Sequence, residues 1–257
     1  MANKIFTYEQ PLNELIRVCL RLEHLFQQLK HHLEDESPSG SRIALATLLD
    51  ITNVTDRPDL RSKFSRVLSH YANALAPLEQ AAKVDNYRLR EVLVKLDRLI
   101  DMLYSSQGRF AQNLRENEFL NSIRLHLAKP GGICDFNFPA YHLWLQQPAN
   151  DRKQTISSWF KEFEQLYTIV ALILQLTRDS TEPLPKVATK GFYQESLAPN
   201  ISYQMIRVSL PINLSICSEI SVGPRRLSIH FYAPNFTGGR AIQINEDVEF
   251  QLSCCVA

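Results

Sequence analysis

The spacing of apolar residues changes once along this chain, and that change limits the fold more than any other feature. From Leu12 to about Asp179 apolar residues recur every three or four positions, the period of a helix with one buried stripe. Beyond Pro183 and Pro185 they recur at every second position, the period of a half-buried strand. A long helical part followed by a run of strands predicts an α+β protein, not the alternating pattern of a parallel sheet.

The first helix is the clearest. Leu12, Leu15, Ile16, Cys19, Leu22, Leu25, Phe26, Leu29 and Leu33 form one stripe, and Asn13 is placed to cap it. Pro38 and Gly40 are expected to end it, with a second helix from about Ser41 to Thr52. A third follows Pro58, with Leu60, Phe64, Val67, Leu68, Tyr71 and Leu75 inward, and Pro77 interrupts it. A fourth runs from about Asp85 to Tyr104. Phe110 to Leu127 predicts a fifth, although Arg115, Glu116 and Asn117 cluster at its middle. Arg152 to Leu176 predicts one last long helix.

In the tail, Ile206, Val208 and Leu210 alternate with polar residues, as do Leu227, Ile229 and Phe231, and Val248, Phe250 and Leu252. Gly223-Pro224 and Gly238-Gly239 punctuate these runs as turns. About four antiparallel strands are expected. Lys4 to Tyr8 also has strand character, and a lone strand needs a partner for its backbone, so it is expected to join the C-terminal sheet. The predicted domains are a helical bundle over residues 10–182 and an antiparallel β domain made from residues 183–257 with residues 1–9.

Charge narrows the function. The chain carries 28 basic and 27 acidic residues, a net of +1, which excludes a protein held to nucleic acid by bulk charge. The balance is uneven. Residues 1–56 hold 5 basic against 8 acidic residues, residues 57–129 hold 13 against 8, and the remainder 10 against 11. The longest charge-free apolar stretch, Leu166 to Thr177, is well short of the ~20 residues a membrane span requires, so no membrane insertion is expected. The first residues lack an apolar core with a cleavage site, and no signal peptide is expected. Five cysteines without metal spacing, Cys254 and Cys255 among them, point to free thiols in a reducing cytoplasm.

No catalytic or cofactor motif stands out. The glycine pairs Gly131-Gly132 and Gly238-Gly239 fit neither a phosphate loop nor a dinucleotide fingerprint, and His31-His32 with Glu34 is a weak metal pattern at a helix end. No enzyme, cofactor or metal is therefore expected. The most informative segment is Lys129 to Leu145, KPGGICDFNFPAYHLWL. Pro130-Gly131-Gly132 forces a turn, Cys134, Phe136 and Phe138 alternate like a short buried strand, and Pro139 opens a short helix carrying His142 and Trp144. The segment is either a packed plug of the core or one wall of a peptide-binding groove. On the first helix Arg17, Arg21, His24 and Gln28 share a face, where Glu14 can pair with Arg17 and leave Arg21 freer to grip a carboxylate.

Five stretches in order, YEQPLNELIRVCLRLEHLFQQL, LREN, KPGGICDFNFPAYHLWL, KGFYQE and FQLSCC, resemble the ZapD family of Z-ring-associated cell division proteins. The likeness runs from about Phe6 to Cys255. It implies a non-enzymatic cytoplasmic homodimer at the mid-cell septum, with a helical and a β domain. It also implies binding to the C-terminal tail of FtsZ and cross-linking of FtsZ filaments into bundles. By motif, Arg21 and His142 carry over as partner-binding residues, then Arg115 in LREN. A basic residue is expected near position 118, where Glu118 stands, leaving Arg124 or Arg109 to compensate. Two other classes compete: a nucleic-acid binder using the basic middle segment, and a small-molecule enzyme with an interdomain cleft. The apolar faces within Ser41–Leu49 and Leu89–Leu103 are candidates for the dimer surface.

Overall fold

The computed structural model describes residues 5–80, 85–105 and 108–256. The chain is α+β and divides into two compact units: Met1–Arg17 with Leu174–Ala257, and Val18–Ile173.

In the helical unit the expected helices form, with ends set by local chemistry. α1 (Glu14–Leu33) is capped by Asn13, whose Oδ1 accepts from the Ile16 amide at 2.9 Å. α2 (Pro38–Val54) starts three residues before the sequence reading placed it. Pro38 does not end the preceding helix: it sits in the first turn of α2, where its missing N–H costs nothing, and Ser37 caps the turn. α3 (Leu60–Leu75) buries Leu60, Phe64, Leu68 and Tyr71, and a 3-10 turn carries Pro77. α4 (Asn86–Ser105) buries Leu89, Leu96, Leu99 and Leu103.

Two expected helices are divided. The Phe110–Leu127 run becomes α5 (Gln112–Arg115) and α6 (Glu118–Leu127), because Asn117 leaves helical geometry and accepts from the Leu120 amide at 3.0 Å. Glu118 is then the first residue of α6, where a carboxylate suits the positive end of the helix dipole. The Arg152–Leu176 run becomes α8 (Ala149–Phe160), a 3-10 turn (Lys161–Phe163) and α9 (Glu164–Asp179). The tighter turn re-aims the apolar stripe so that Ile156, Phe163 and Leu166 are all buried. A short helix, α7 (Pro139–Leu145), follows the glycine turn. The buried strand expected at Cys134–Phe138 is absent. Those residues form turns, and Phe136 is 83% exposed.

The apolar faces considered for dimerisation are largely used within the protomer. Ala44, Leu45, Leu48 and Leu96 are fully buried, and Leu99 nearly so. On α4, Tyr87, Val94 and Tyr104 remain exposed.

The other unit holds more strands than the four expected in the tail. β1 (Ile5–Pro11), β4 (Tyr203–Pro211), β8 (Val248–Val256) and β2 (Leu184–Ala188) make one antiparallel sheet, in the order β1-β4-β8-β2. β3 (Phe192–Ser196), β6 (Arg226–Ala233) and β5 (Cys217–Gly223) make a second, with β7 (Ile242–Gln243) added to β6. The additional strands β2, β3 and β7 are short, and β5 alternates apolar residues only at Ile220 and Val222. β1 pairs with β4 as expected, from Ile5 opposite Pro211 to Pro11 opposite Met205; Lys4, at the start of the expected strand, lies outside the described residues. The alternating residues Ile206, Val208, Leu210, Leu227, Ile229, Phe231, Phe250 and Leu252 meet in the core of this unit. Glu9 is gripped there by Arg178 at 2.7 Å and Arg207 at 2.9 Å.

Candidate functional site

The segment around α7 is built by close backbone approach and ring packing. Gly132 must lack a side chain, since a Cβ there would overlap the His126 carbonyl. Pro139 opens α7, which turns Tyr141, Trp144 and Leu145 inward. His126 of α6 stacks on Phe138 with centroids 4.9 Å apart, Phe138 stacks on Tyr141 at 6.0 Å, and Tyr141 on Trp144 at 6.0 Å. Phe119 packs against Phe138, Trp144 and Trp159. The row of rings makes α6, α7 and α8 one packed body.

His142 stands on the outer side of α7. Its Nδ1 lies 2.8 Å from Asp135 Oδ1, and an ionised carboxylate only accepts, so that nitrogen carries a proton. Nε2 makes no hydrogen bond among the described residues; such a nitrogen accepts when the ring is neutral and donates when it is charged. His126 Nδ1 lies 2.7 Å from the Ser122 carbonyl and carries a proton for the same reason. Trp144 is 8% exposed, and its Nε1 makes no hydrogen bond. It supports the helix from inside and does not offer a surface.

The basic residues fall into two groups. On α1, Arg17 pairs with Glu14 at 2.7 Å, while Arg21 and His24 are exposed and Arg21 has no ion pair among the described residues. On α5 and α6, Arg124 is exposed, but Arg115 turns inward with a side chain only 10% exposed. Its guanidinium donates to the Thr52 carbonyl at 2.9 Å and the Phe110 carbonyl at 3.4 Å, and lies 3.1 Å from Asp56. Burial lowers the Arg115 pKa; Arg109 and Arg124 add to this while Asp56 opposes it. Arg109 shares Asp56 at 2.6 Å. Arg115 is thus a clamp between α5 and the end of α2. Among the described residues no hydrogen bond, ion pair or ring contact joins Arg21 or His24 to His142 or Arg124.

Comparison with known proteins decides what this assembly belongs to. Residues 20–230 match the family model of ZapD, a cell division protein. Cell division protein ZapD of Coxiella burnetii (strain RSA 493 / Nine Mile phase I) is 44% identical over 256 residues, 99% of each chain. That of Methylococcus capsulatus (Bath) is 34% identical across the whole of both chains, and that of Janthinobacterium sp. (Marseille) is 34% identical over 98% of this chain and 99% of its own. The chain belongs to the ZapD family.

Membership in the ZapD family assigns the chain a role in cell division. Among the described residues no helix is long and apolar enough to cross a membrane. Two residues that hold α2, α6, α7 and α8 together carry no signal that sequence patterning detects. His126 looks like an ordinary helix residue until it is seen stacked on Phe138. Arg152 of α8 is 4% exposed, and among the described residues it meets no carboxylate. Its guanidinium donates to Ser41 Oγ at 2.9 Å, the Glu36 carbonyl at 2.7 Å, the Leu145 carbonyl at 3.3 Å and the Gln147 carbonyl. Arg152 therefore ties the end of α7, which bears His142, to the start of α2.

Proposed function

We propose that this chain binds the C-terminal tail of FtsZ through Arg21 and His142, and that a homodimer with two such sites cross-links FtsZ filaments at the division septum in the cytoplasm. The observation that carries the reading is a pair of accessible groups on well-packed helices: exposed Arg21, without an ion pair among the described residues, on α1, and half-buried His142, held by Asp135, on α7. A guanidinium suits a carboxylate, and an imidazole with one free nitrogen suits either a carboxylate or a backbone group. A symmetric dimer repeats each site, so a weak grip on single tails becomes avid along a filament. Arg124 and His24 are further exposed residues of the same helical unit, Arg17 is already engaged by Glu14, and Arg115 and Trp144 act by holding the scaffold. The activity is binding, with no catalytic step. Co-sedimentation of FtsZ filaments tests it. Arg21→Glu protein that stays folded is expected to lose most bundling, and undiminished bundling would remove Arg21 from the site.

A further inference from the structure

α3 carries Arg61, Lys63, Arg66 and His70 and no carboxylate between Leu60 and Leu75. Lys63 is engaged by Asp59 at 2.6 Å. Ser62, Ser65, Arg66, Ser69, His70 and Asn73 recur along one side of the helix and, with Tyr104 of α4, line an open groove of about 490 Å³. Every one of these side chains can donate a hydrogen bond, and none is acidic.

A stripe of serines is not a site, but two buried groups beside this one lack partners. Ser65 is 5% exposed, lines the groove, and its Oγ makes no hydrogen bond. Other buried hydroxyls of this unit behave differently: Thr47, Thr52 and Thr55 each donate to the carbonyl one turn back, at 2.8, 2.9 and 2.8 Å. One turn before Ser65, Arg61 lies over the Phe110 ring at 4.2 Å, with Nε and Nη1 buried and unbonded. Burial without an acceptor lowers the pKa of its guanidinium. Buried donors, one of them charged, are normally paired. Two unpaired donors one turn apart, beside a groove lined with donors, lack an acceptor rich in oxygens.

We propose that the α3 groove binds a phosphate group on Ser65, Arg66 and His70 of its lining, with Arg61, one turn before Ser65, turning to it from beside the groove. A tetrahedral oxyanion supplies three or four acceptors at once, which a single carboxylate does not. The group is free phosphate or the phosphate of a nucleotide. The site stands independently of FtsZ binding.

Thermal unfolding followed by tryptophan fluorescence tests this, with potassium phosphate exchanged for chloride at constant ionic strength and a nucleoside triphosphate in a second arm. Wild-type Tm should rise by ~5–10 °C at a hundred-fold excess over Kd. A response at lower concentration in the nucleotide arm assigns the source to a nucleotide, and an equal or weaker one assigns it to free phosphate. Arg66→Ala/His70→Ala, altered only at exposed positions, should keep the basal Tm and lose the rise. Arg61→Leu should lose the rise without a drop in basal Tm, because an unpaired buried charge is removed. An unchanged wild-type Tm in both arms overturns the proposal, as does an equal rise in the Arg66→Ala/His70→Ala protein. Dimerisation abolished by Arg61→Leu, with no phosphate response, assigns the donors to a second copy and also overturns it.

Discussion

Arg152→Met is the substitution with the most informative magnitude. Methionine keeps much of the stem's volume but removes every donor. Four acceptors lose their partner: Ser41 Oγ and the carbonyls of Glu36, Leu145 and Gln147. Leu145 ends α7, so its carbonyl has no partner within the helix and depends on Arg152. A hydrogen bond to a charged group contributes ~1.5–3 kcal/mol, yet four bonds from one guanidinium do not add. The variant also avoids burying a charge that meets no carboxylate, which returns part of the loss. The net expectation is ~2–4 kcal/mol, a fall in Tm of ~5–15 °C for a unit of this size. Both tryptophans, Trp144 and Trp159, lie in the helical unit beside Arg152, so their fluorescence reports this transition. Arg152→Lys should lose nearly as much, because one ammonium cannot reach acceptors that the flat guanidinium spans. A methionine variant melting within ~2 °C of wild type would refute the idea that this residue anchors α7.

Bundling of FtsZ by the wild-type chain should weaken as salt rises, since its ionic contacts are exposed and screened over ~8–10 Å near physiological ionic strength; co-sedimentation across a salt series checks this. For Glu9, burial acts to raise the carboxyl, but the hydrogen bond and charge of Arg178 and the charge of Arg207 outweigh it and hold the pKa below the usual range. That stabilisation is complete above the ordinary carboxylate pKa of ~4.3 and fades as pH falls through the lower folded value. Glu9→Gln should cost about 3 kcal/mol at pH 7 and progressively less in acid, read by far-UV circular dichroism. Cys254 is pushed up to about 12, first by burial and then by Glu195, so it should resist alkylation at pH 8 until the protein is unfolded, as mass spectrometry of labelled peptides would show.

How far the sequence determines the outcome differs between fold and site. Long amphipathic stripes survive into the structure because burying one face dominates helix formation, as Leu60, Phe64, Leu68 and Tyr71 show on α3. The pairing of β1 with the C-terminal sheet is legible because an isolated strand leaves its backbone unsatisfied. Helix breaks are harder to read. Asn117 divides a run that apolar spacing joins, because a side-chain cap competes with helix continuation through a local hydrogen bond. The Cys134–Phe138 alternation imitates a strand, but the glycine turn before it and Pro139 after it leave no room for a ladder. At the site, residue type alone does not separate Arg21 from Arg115. Both are helix arginines with helix-like neighbours, and only tertiary contacts show that one is exposed and the other clamps the Thr52 carbonyl. Arg152 is hidden for the same reason, since its partners are backbone carbonyls distant in sequence.

The proposed grip on the FtsZ tail rests on Arg21 and His142 directly. Fluorescence anisotropy of a labelled peptide of the FtsZ C-terminal tail, titrated with wild-type, Arg21→Ala, His142→Ala and Gln27→Ala proteins, tests it most directly. Gln27 is an exposed α1 residue outside the proposed site. Wild-type and Gln27→Ala proteins are expected to bind saturably, and either of the other two substitutions to weaken binding about tenfold or more, which corresponds to ~1.4 kcal/mol. Equal affinity for all four proteins would contradict it.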